Sequence, residues 1–340
     1  MQSKKKMSKK AKILVFSIVG VILFALILNV VILPLTGGSK RTEATDVYTG
    51  DNAYIRYDKG LYLSAHRAGG DIEPEETMKA FKNCMEASYK VDVLEFDLHL
   101  TKDGHLVLLH DDEVDRTSDG PIVFGKEKVK VCDKTLNELL TLNFGYNFQR
   151  TDGSYPYREA GADLSEVRIL PLKTLLTYLE KEARPDKSLH YIIEIKDNGD
   201  RGNDAMDILY TVMKEYAITD RVIVGTFHQS VTTYIDKTYP DVVRSAGIAD
   251  MLGFYYDFLY NVKIDPEKLG FSVLQIPMGL RGYFDFATEA FVAYAHKYDV
   301  AVQYWTINDP EDVALLKKIG ADCIMTDNPE MASKALAETR

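Results

Sequence analysis

Strand-like and helical stretches alternate along this chain from Leu61 onward, and that alternation restricts its fold more than any other feature. Strands are predicted at Leu61–His66, Val91–Leu98, Leu106–His110, Leu189–Ile195, Arg221–Phe227, Val242–Ala246, Phe271–Ile276, Val300–Thr306 and Asp322–Thr326. Between or after them, helical spacing marks Glu76–Tyr89, Thr135–Leu142, Leu172–Glu182, Ala205–Tyr216, Ser230–Thr238, Thr288–Tyr298, Asp309–Ile319 and Met331–Ala337. Repeated strand-helix units predict an α/β fold, an irregular TIM (β/α)8 barrel. Nine strands compete for the eight places. The Thr101–Gly104 turn is too short for a parallel crossover, so one of the two strands it joins should be antiparallel or peripheral.

The N-terminus is of another kind. Residues 1–12 form a basic tail carrying Lys4, Lys5, Lys6, Lys9, Lys10 and Lys12 and no acid. Ile13–Leu35 is almost uninterrupted apolar sequence, and at 1.5 Å per residue it spans roughly 34 Å. It is long for a signal peptide, and neither a convincing cleavage site nor a lipid-attachment cysteine follows it. One transmembrane helix at 13–35 is therefore expected to precede the barrel. Lysines before the span predict a single-pass protein of the cell membrane, with a cytoplasmic N-terminus and an extracellular catalytic domain. Residues 36–52 read as a polar stalk and 53–340 as the barrel domain.

Charge narrows the partners. The net charge is −10, and about −16 for the remainder once the six lysines are set aside, which disfavours nucleic acid. Cys84, Cys132 and Cys323 show no CxxC spacing, so no thiolate zinc site is expected, and their odd number argues against a disulfide framework. Nothing indicates an obligate protein partner.

The chemistry sits where strands end. His66 and Arg67, Glu95 and Asp97, His110 and Asp111, Glu194 and Lys196, and Trp305 all close apolar strands. Active sites of such barrels lie at the C-terminal strand ends. Glu95 and Asp97 are two apart on one strand and share a face, where they repel unless a cation or proton intervenes. Glu95, Asp97 and Glu194 without thiolates favour one hard divalent cation, Ca²⁺ or Mg²⁺. Three carboxylates and such an ion leave one negative charge, and Arg67 and Lys196 turn it positive. A phosphodiester would neutralise that site, and Arg67 can fork onto two of its oxygens. His66 and His110 supply proton transfer. Asp111 either orients a neighbouring imidazole or is an ordinary loop acid. His99 is expected to be a supporting or surface group, and His228 a residue of the mouth.

Longer motifs carry a resemblance. Ala65-His66-Arg67, Pro74-Glu75-Glu76-Thr77, the run from Glu95 to Gly104, His110-Asp111, Asp115-Arg116-Thr117, Glu194-Ile195-Lys196, the run from Trp305 to Asp312, and Thr326-Asp327-Asn328-Pro329 resemble the glycerophosphodiester phosphodiesterase family. The resemblance covers about Leu61 to Pro329. It implies an irregular TIM barrel and metal-dependent hydrolysis of small glycerophosphodiesters to glycerol 3-phosphate and an alcohol. By position, Glu95, Asp97 and Glu194 match the family's metal ligands, His66 and His110 its acid/base pair, and Arg67 and Lys196 its phosphate contacts. Trp305 matches a tryptophan suited to packing on glycerol carbons. The resemblance further implies attack by the neighbouring glycerol hydroxyl and a cyclic phosphate.

Two departures stand out. Glu76 replaces the family's usual Asn, and Ala68 stands where Gly is common. Tyr146, Phe148, Tyr155 and Tyr157, in the Pro121–Ile169 insertion, would either cover the site or pack the insertion. The rival enzymatic reading is a phospholipase-like or polyglycerolphosphate-cleaving activity at the same site. The rival from another class is an inactive barrel used as a binding module.

Overall fold

A computed structural model describes residues 50–338 apart from 57–58 and 281–283. The basic tail, the expected span at 13–35 and nearly all of the stalk lie outside the described residues. Among those described, no helix is long and apolar enough to cross a membrane.

The strands are β1 (Tyr62–Ala65), β2 (Val93–Leu100), β3 (Leu106–Leu108), β4 (Leu170–Pro171), β5 (His190–Ile195), β6 (Val222–Gly225), β7 (Val273–Ile276), β8 (Gly279–Leu280), β9 (Phe284–Asp285), β10 (Ala301–Tyr304) and β11 (Cys323–Thr326). Parallel pairings run β6–β5–β2–β1–β11–β10–β7. Parallel bridges from Val224 to Arg244 and from Ser245 to Val273 join the two ends. The ring therefore closes with eight staves, as the alternation predicts. One of them, predicted at Val242–Ala246, shrinks to these bridges. Arg244 there is buried and turned to Asp236 and Asp250 at 2.5 and 2.9 Å.

The surplus strand is β3. It pairs antiparallel with the far half of β2, and β4 pairs antiparallel with β3. The Thr101–Gly104 turn is thus a hairpin beside the mouth, and β2 overruns the ring by its last residues. Between β3 and β4 the insertion folds on its own cluster, which includes Val114, Val131, Leu139, Leu142 and Phe144.

Alternation along each stave separates two environments. On β2, Leu94, Phe96, Leu98 and Leu100 face the helices, as do Tyr191, Ile193 and Ile195 of β5. Val93 and Ile192 face inward, where they meet Ile223, Val273, Ala301 and Cys323 in an apolar floor. Tyr54 and Ile55 pack against that floor, and Asn52 Nδ2 donates to the carbonyls of Ser272 and Asp299, which precede β7 and β10. The chain thus enters at the N-terminal ends of the staves, opposite the mouth.

The short helix Gly120–Phe124 in the insertion was not predicted, and two longer helices also differ from expectation. The one at Gly199–Tyr216 begins six residues before Ala205, because its first turns are polar and carry Gly202, whose missing side chain lets the Asp197 carbonyl and Val231 approach. Helix Ile248–Leu259 was not predicted. Its Phe254, Tyr255 and Phe258 pack edge-on against Phe291 and Tyr294, while exposed Ile248, Leu252 and Tyr256 make its outer face apolar too and blur the contrast between faces.

Candidate active site

One concavity at the C-terminal end of the ring gathers His66, Arg67, Glu95, Asp97, His110, Glu194 and Trp305 around its wall. Lys196 adjoins it, with Nζ 2.9 Å from Glu194 Oε1 and 3.5 Å from Asp97 Oδ1. All eight candidate residues named from the sequence therefore belong to one mouth. The ionisable ones come from β1, β2, β5 and the loop after β3. The opposite wall is uncharged, with Phe227, Ser245, Ala246, Gln275, Trp305 and Met325.

Each group is held by a local device. β1 ends in a tight turn in which Arg67, Ala68 and Gly69 are all left-handed, with φ of 49°, 62° and 81°. For Ala68 this costs about 1–2 kcal/mol relative to glycine in the same conformation. The turn aims the Arg67 backbone N–H at Glu95 Oε2, 2.8 Å away, and brings the guanidinium to 3.6 Å from Asp97 and 3.3 Å from Glu75. Glu75 in turn takes two hydrogen bonds from Arg116, which also donates to Asp111. Glu75, Arg116 and Asp327 were within recognised motifs but had no assigned role. The Arg116–Glu75 and Asp327–His66 contacts span 41 and 261 positions in the chain, which no local pattern displays.

Both histidines are oriented through Nδ1. His66 Nδ1 bonds Asp327 Oδ1 at 2.6 Å, and His110 Nδ1 bonds Asp111 Oδ1 at 2.7 Å. Asp111 is thus an orienting carboxylate. Each ring keeps Nε2 for the pocket. Their environments diverge. Burial acts to lower the His66 pKa, but Glu95 and Asp327 outweigh it and the pKa ends raised. Burial wins at His110 and its pKa is lowered, with Asp97 and Asp111 opposing.

The carboxylates are crowded and dry. Burial, then Asp97, pushes Glu95 up to about 8, and the same two causes raise Glu194. Both carboxylate oxygens of Asp97 are buried without a hydrogen-bond partner. Among the described residues, no three acids, histidines or cysteines are drawn together into a ready metal cage. Instead the Lys196 ammonium lies between Glu194 and Asp97. Orphaned carboxylate oxygens facing a cation, with all-oxygen donors, fit a hard divalent ion.

Other expectations resolve by contact. His99 is buried, not at the surface, with Nδ1 3.4 Å from Asp197. His228 Nε2 bonds the Lys196 carbonyl at 2.9 Å, bracing the strand end. Tyr146 and Tyr155 sandwich Arg158, and Tyr157 donates to Glu73. They pack the insertion. Phe148 lines a neighbouring cleft beside Glu75 and Arg116. Trp305 meets Phe227 edge-on at 6.1 Å.

The glycerophosphoryl diester phosphodiesterase family matches residues 66–331, which brackets every residue of this mouth. The chain belongs to that family. As a member it is an enzyme, a phosphoric diester hydrolase. A glycerophosphodiester phosphodiesterase of Caldanaerobacter subterraneus subsp. tengcongensis is 30% identical over 266 residues, 78% of this chain and 93% of the relative. One from Bacillus altitudinis is 27% identical over 279 residues, 82% of this chain and 99% of the relative. A phosphodiesterase of Oleispira antarctica, solved with sn-glycerol 3-phosphate, superposes with a TM-score of 0.63 at 20% identity, covering 84% of this chain and 100% of that one. The glycerophosphoryl diester phosphodiesterase domain of a Mycobacterium tuberculosis protein gives a TM-score of 0.64 at 19% identity, covering 81% and 99%. These likenesses establish the barrel as the family's fold.

Proposed function

We propose that this enzyme hydrolyses small glycerophosphodiesters to glycerol 3-phosphate and an alcohol in a metal-dependent reaction. The observation that carries the reading is the pair of carboxylate-tethered histidines facing three carboxylates and two cations in one mouth. Glu95, Asp97 and Glu194 would hold one divalent cation, Ca²⁺ or Mg²⁺, which supplies positive charge to the phosphoryl oxygens.

Arg67 and Lys196 bind the phosphate. Trp305 offers an apolar face to glycerol carbons. His110, kept uncharged by burial, accepts the proton of the glycerol hydroxyl next to the ester. That oxygen attacks phosphorus, already tethered beside it. The phosphorus–oxygen bond to the alcohol breaks, and His66, oriented by Asp327, donates the proton its oxygen needs. Water then opens the cyclic phosphate with the two histidines exchanging roles. An analogue lacking the adjacent hydroxyl tests this route. It should bind without turnover, and hydrolysis at the normal rate would contradict it.

Residues 13–35 are proposed as the anchor, with the barrel outside the cell membrane. The apolar run and the lysines before it support this. A chain arriving from a bilayer meets the barrel at Asn52–Ile55, on the floor. On this reading the floor faces the anchoring membrane and the mouth opens away from it, an arrangement that would favour soluble diesters over intact phospholipids of the same bilayer.

A further inference from the structure

Glu76 occupies the position where this chain departs from the family motif, and the residue is only 2% exposed. Its backbone takes the left-handed conformation, with φ of 58°, which a residue other than glycine keeps only where its surroundings enforce it. Two contacts enforce it. The Glu76 backbone N–H donates to the Arg67 carbonyl at 3.1 Å, and Glu76 Oε1 accepts from the Asp97 backbone N–H at 2.6 Å.

The second contact falls at a gap in the sheet. The ladder between β1 and β2 stops at Ala65 and Leu94, and the ladder between β2 and β3 starts at Leu98. The Asp97 carbonyl, facing the gap, is taken by the Leu109 N–H at 3.2 Å. Its N–H has no strand beside it, and Glu76 fills the place. Asp97 is the carboxylate that both phosphate-binding cations approach, Arg67 at 3.6 Å and Lys196 at 3.5 Å. One residue thus ties the turn carrying His66 and Arg67 to the strand carrying Glu95 and Asp97.

We propose that Glu76 is a positioning residue that staples the Arg67 turn to Asp97 and thereby sets the affinity of the mouth for its divalent ion. This rests on the metal-dependent reading above. It needs the reach and acceptor oxygen of the side chain, not its charge, because Oε2 is buried with no hydrogen-bond partner.

The test is calorimetric titration of EDTA-stripped full-length protein in detergent with Mg²⁺ and with Ca²⁺, with a thermal melt of each variant. Glu76→Gln keeps the acceptor and the length, and should hold the dissociation constant within about threefold of wild type. Glu76→Asp keeps the carboxylate but falls one methylene short, and Glu76→Ala loses the hook. Both should weaken ion binding about 10- to 100-fold, as loss of a group that orients a metal ligand does. Unchanged binding in Glu76→Asp, or equal losses in Glu76→Gln and Glu76→Asp, would overturn the proposal. A folded wild type that binds neither ion would instead sink the metal reading beneath it.

Discussion

His66 Nδ1 lies 2.6 Å from Asp327 Oδ1, so the end of the first stave is oriented by the end of the last. This contact closes the ring chemically as the β1–β11 ladder closes it mechanically. It also raises the His66 pKa, with Glu95 and against burial. Asp327→Asn removes one of the raising influences. The alkaline limb of kcat/KM should move to lower pH, and kcat should fall about tenfold or more. A pH–rate profile of the variant checks both.

The wild-type profile should be bell-shaped. His110 must be uncharged to accept a proton, and its pKa lies below 6.5, so activity falls on the acid side below that pH. His66 must be charged to donate, and its pKa lies above 6.5, so activity falls on the alkaline side above it. Replacing either histidine by alanine should cost about 10²- to 10⁴-fold in kcat. Ion binding measured by calorimetry should persist in both variants, since neither is placed among the metal ligands.

Without metal, Glu95 titrates near 8 rather than at 4.5. An acid whose folded pKa is raised binds more protons in the native than in the unfolded state. Stability should therefore fall as pH rises from about 4.5 to about 8 in EDTA. Glu95→Gln removes that dependence. In EDTA it should melt above wild type at pH 8 and near it at pH 5. Added Ca²⁺ or Mg²⁺ should raise the melting temperature of wild type most at pH 8.

Much of this was legible in the strand-end residues. His66, Asp97 and Glu194 each close an apolar run, and the two-residue period alone put Glu95 and Asp97 on one face. The Thr101–Gly104 turn correctly marked an antiparallel strand at Leu106–Leu108. The supporting contacts were less visible. Asp327 reaches His66 across 261 positions, and Glu75 meets Arg116 across 41. Only the folded ring brings such partners together. Helix Ile248–Leu259 escaped because its buried aromatics alternate with exposed Ile248, Leu252 and Tyr256 rather than with polar residues.

Trp305 lines the uncharged wall beside Phe227. If it packs on glycerol carbons, Trp305→Ala should raise KM about tenfold, and Trp305→Phe should recover most of that. Steady-state kinetics on one substrate separates KM from kcat and decides the point.

The tether makes a spatial prediction. In vesicles bearing the full-length protein, a fluorophore at Lys297→Cys, near the barrel floor, should be quenched by brominated lipid. One at Ile248→Cys, near the mouth, should be quenched much less. Cys132→Ser serves as background, because Cys84 and Cys323 are buried. Equal quenching would contradict the proposed orientation, and absence of vesicle binding would contradict the anchor.

The central claim is tested most directly by glycerol 3-phosphate release. Full-length protein in detergent is given glycerophosphocholine or glycerophosphoethanolamine, in EDTA and then with Ca²⁺ or Mg²⁺, beside His110→Ala. The account predicts release that requires the ion and drops at least about 10²-fold in the variant. Release that persists in EDTA, or that His110→Ala leaves unchanged, would contradict it.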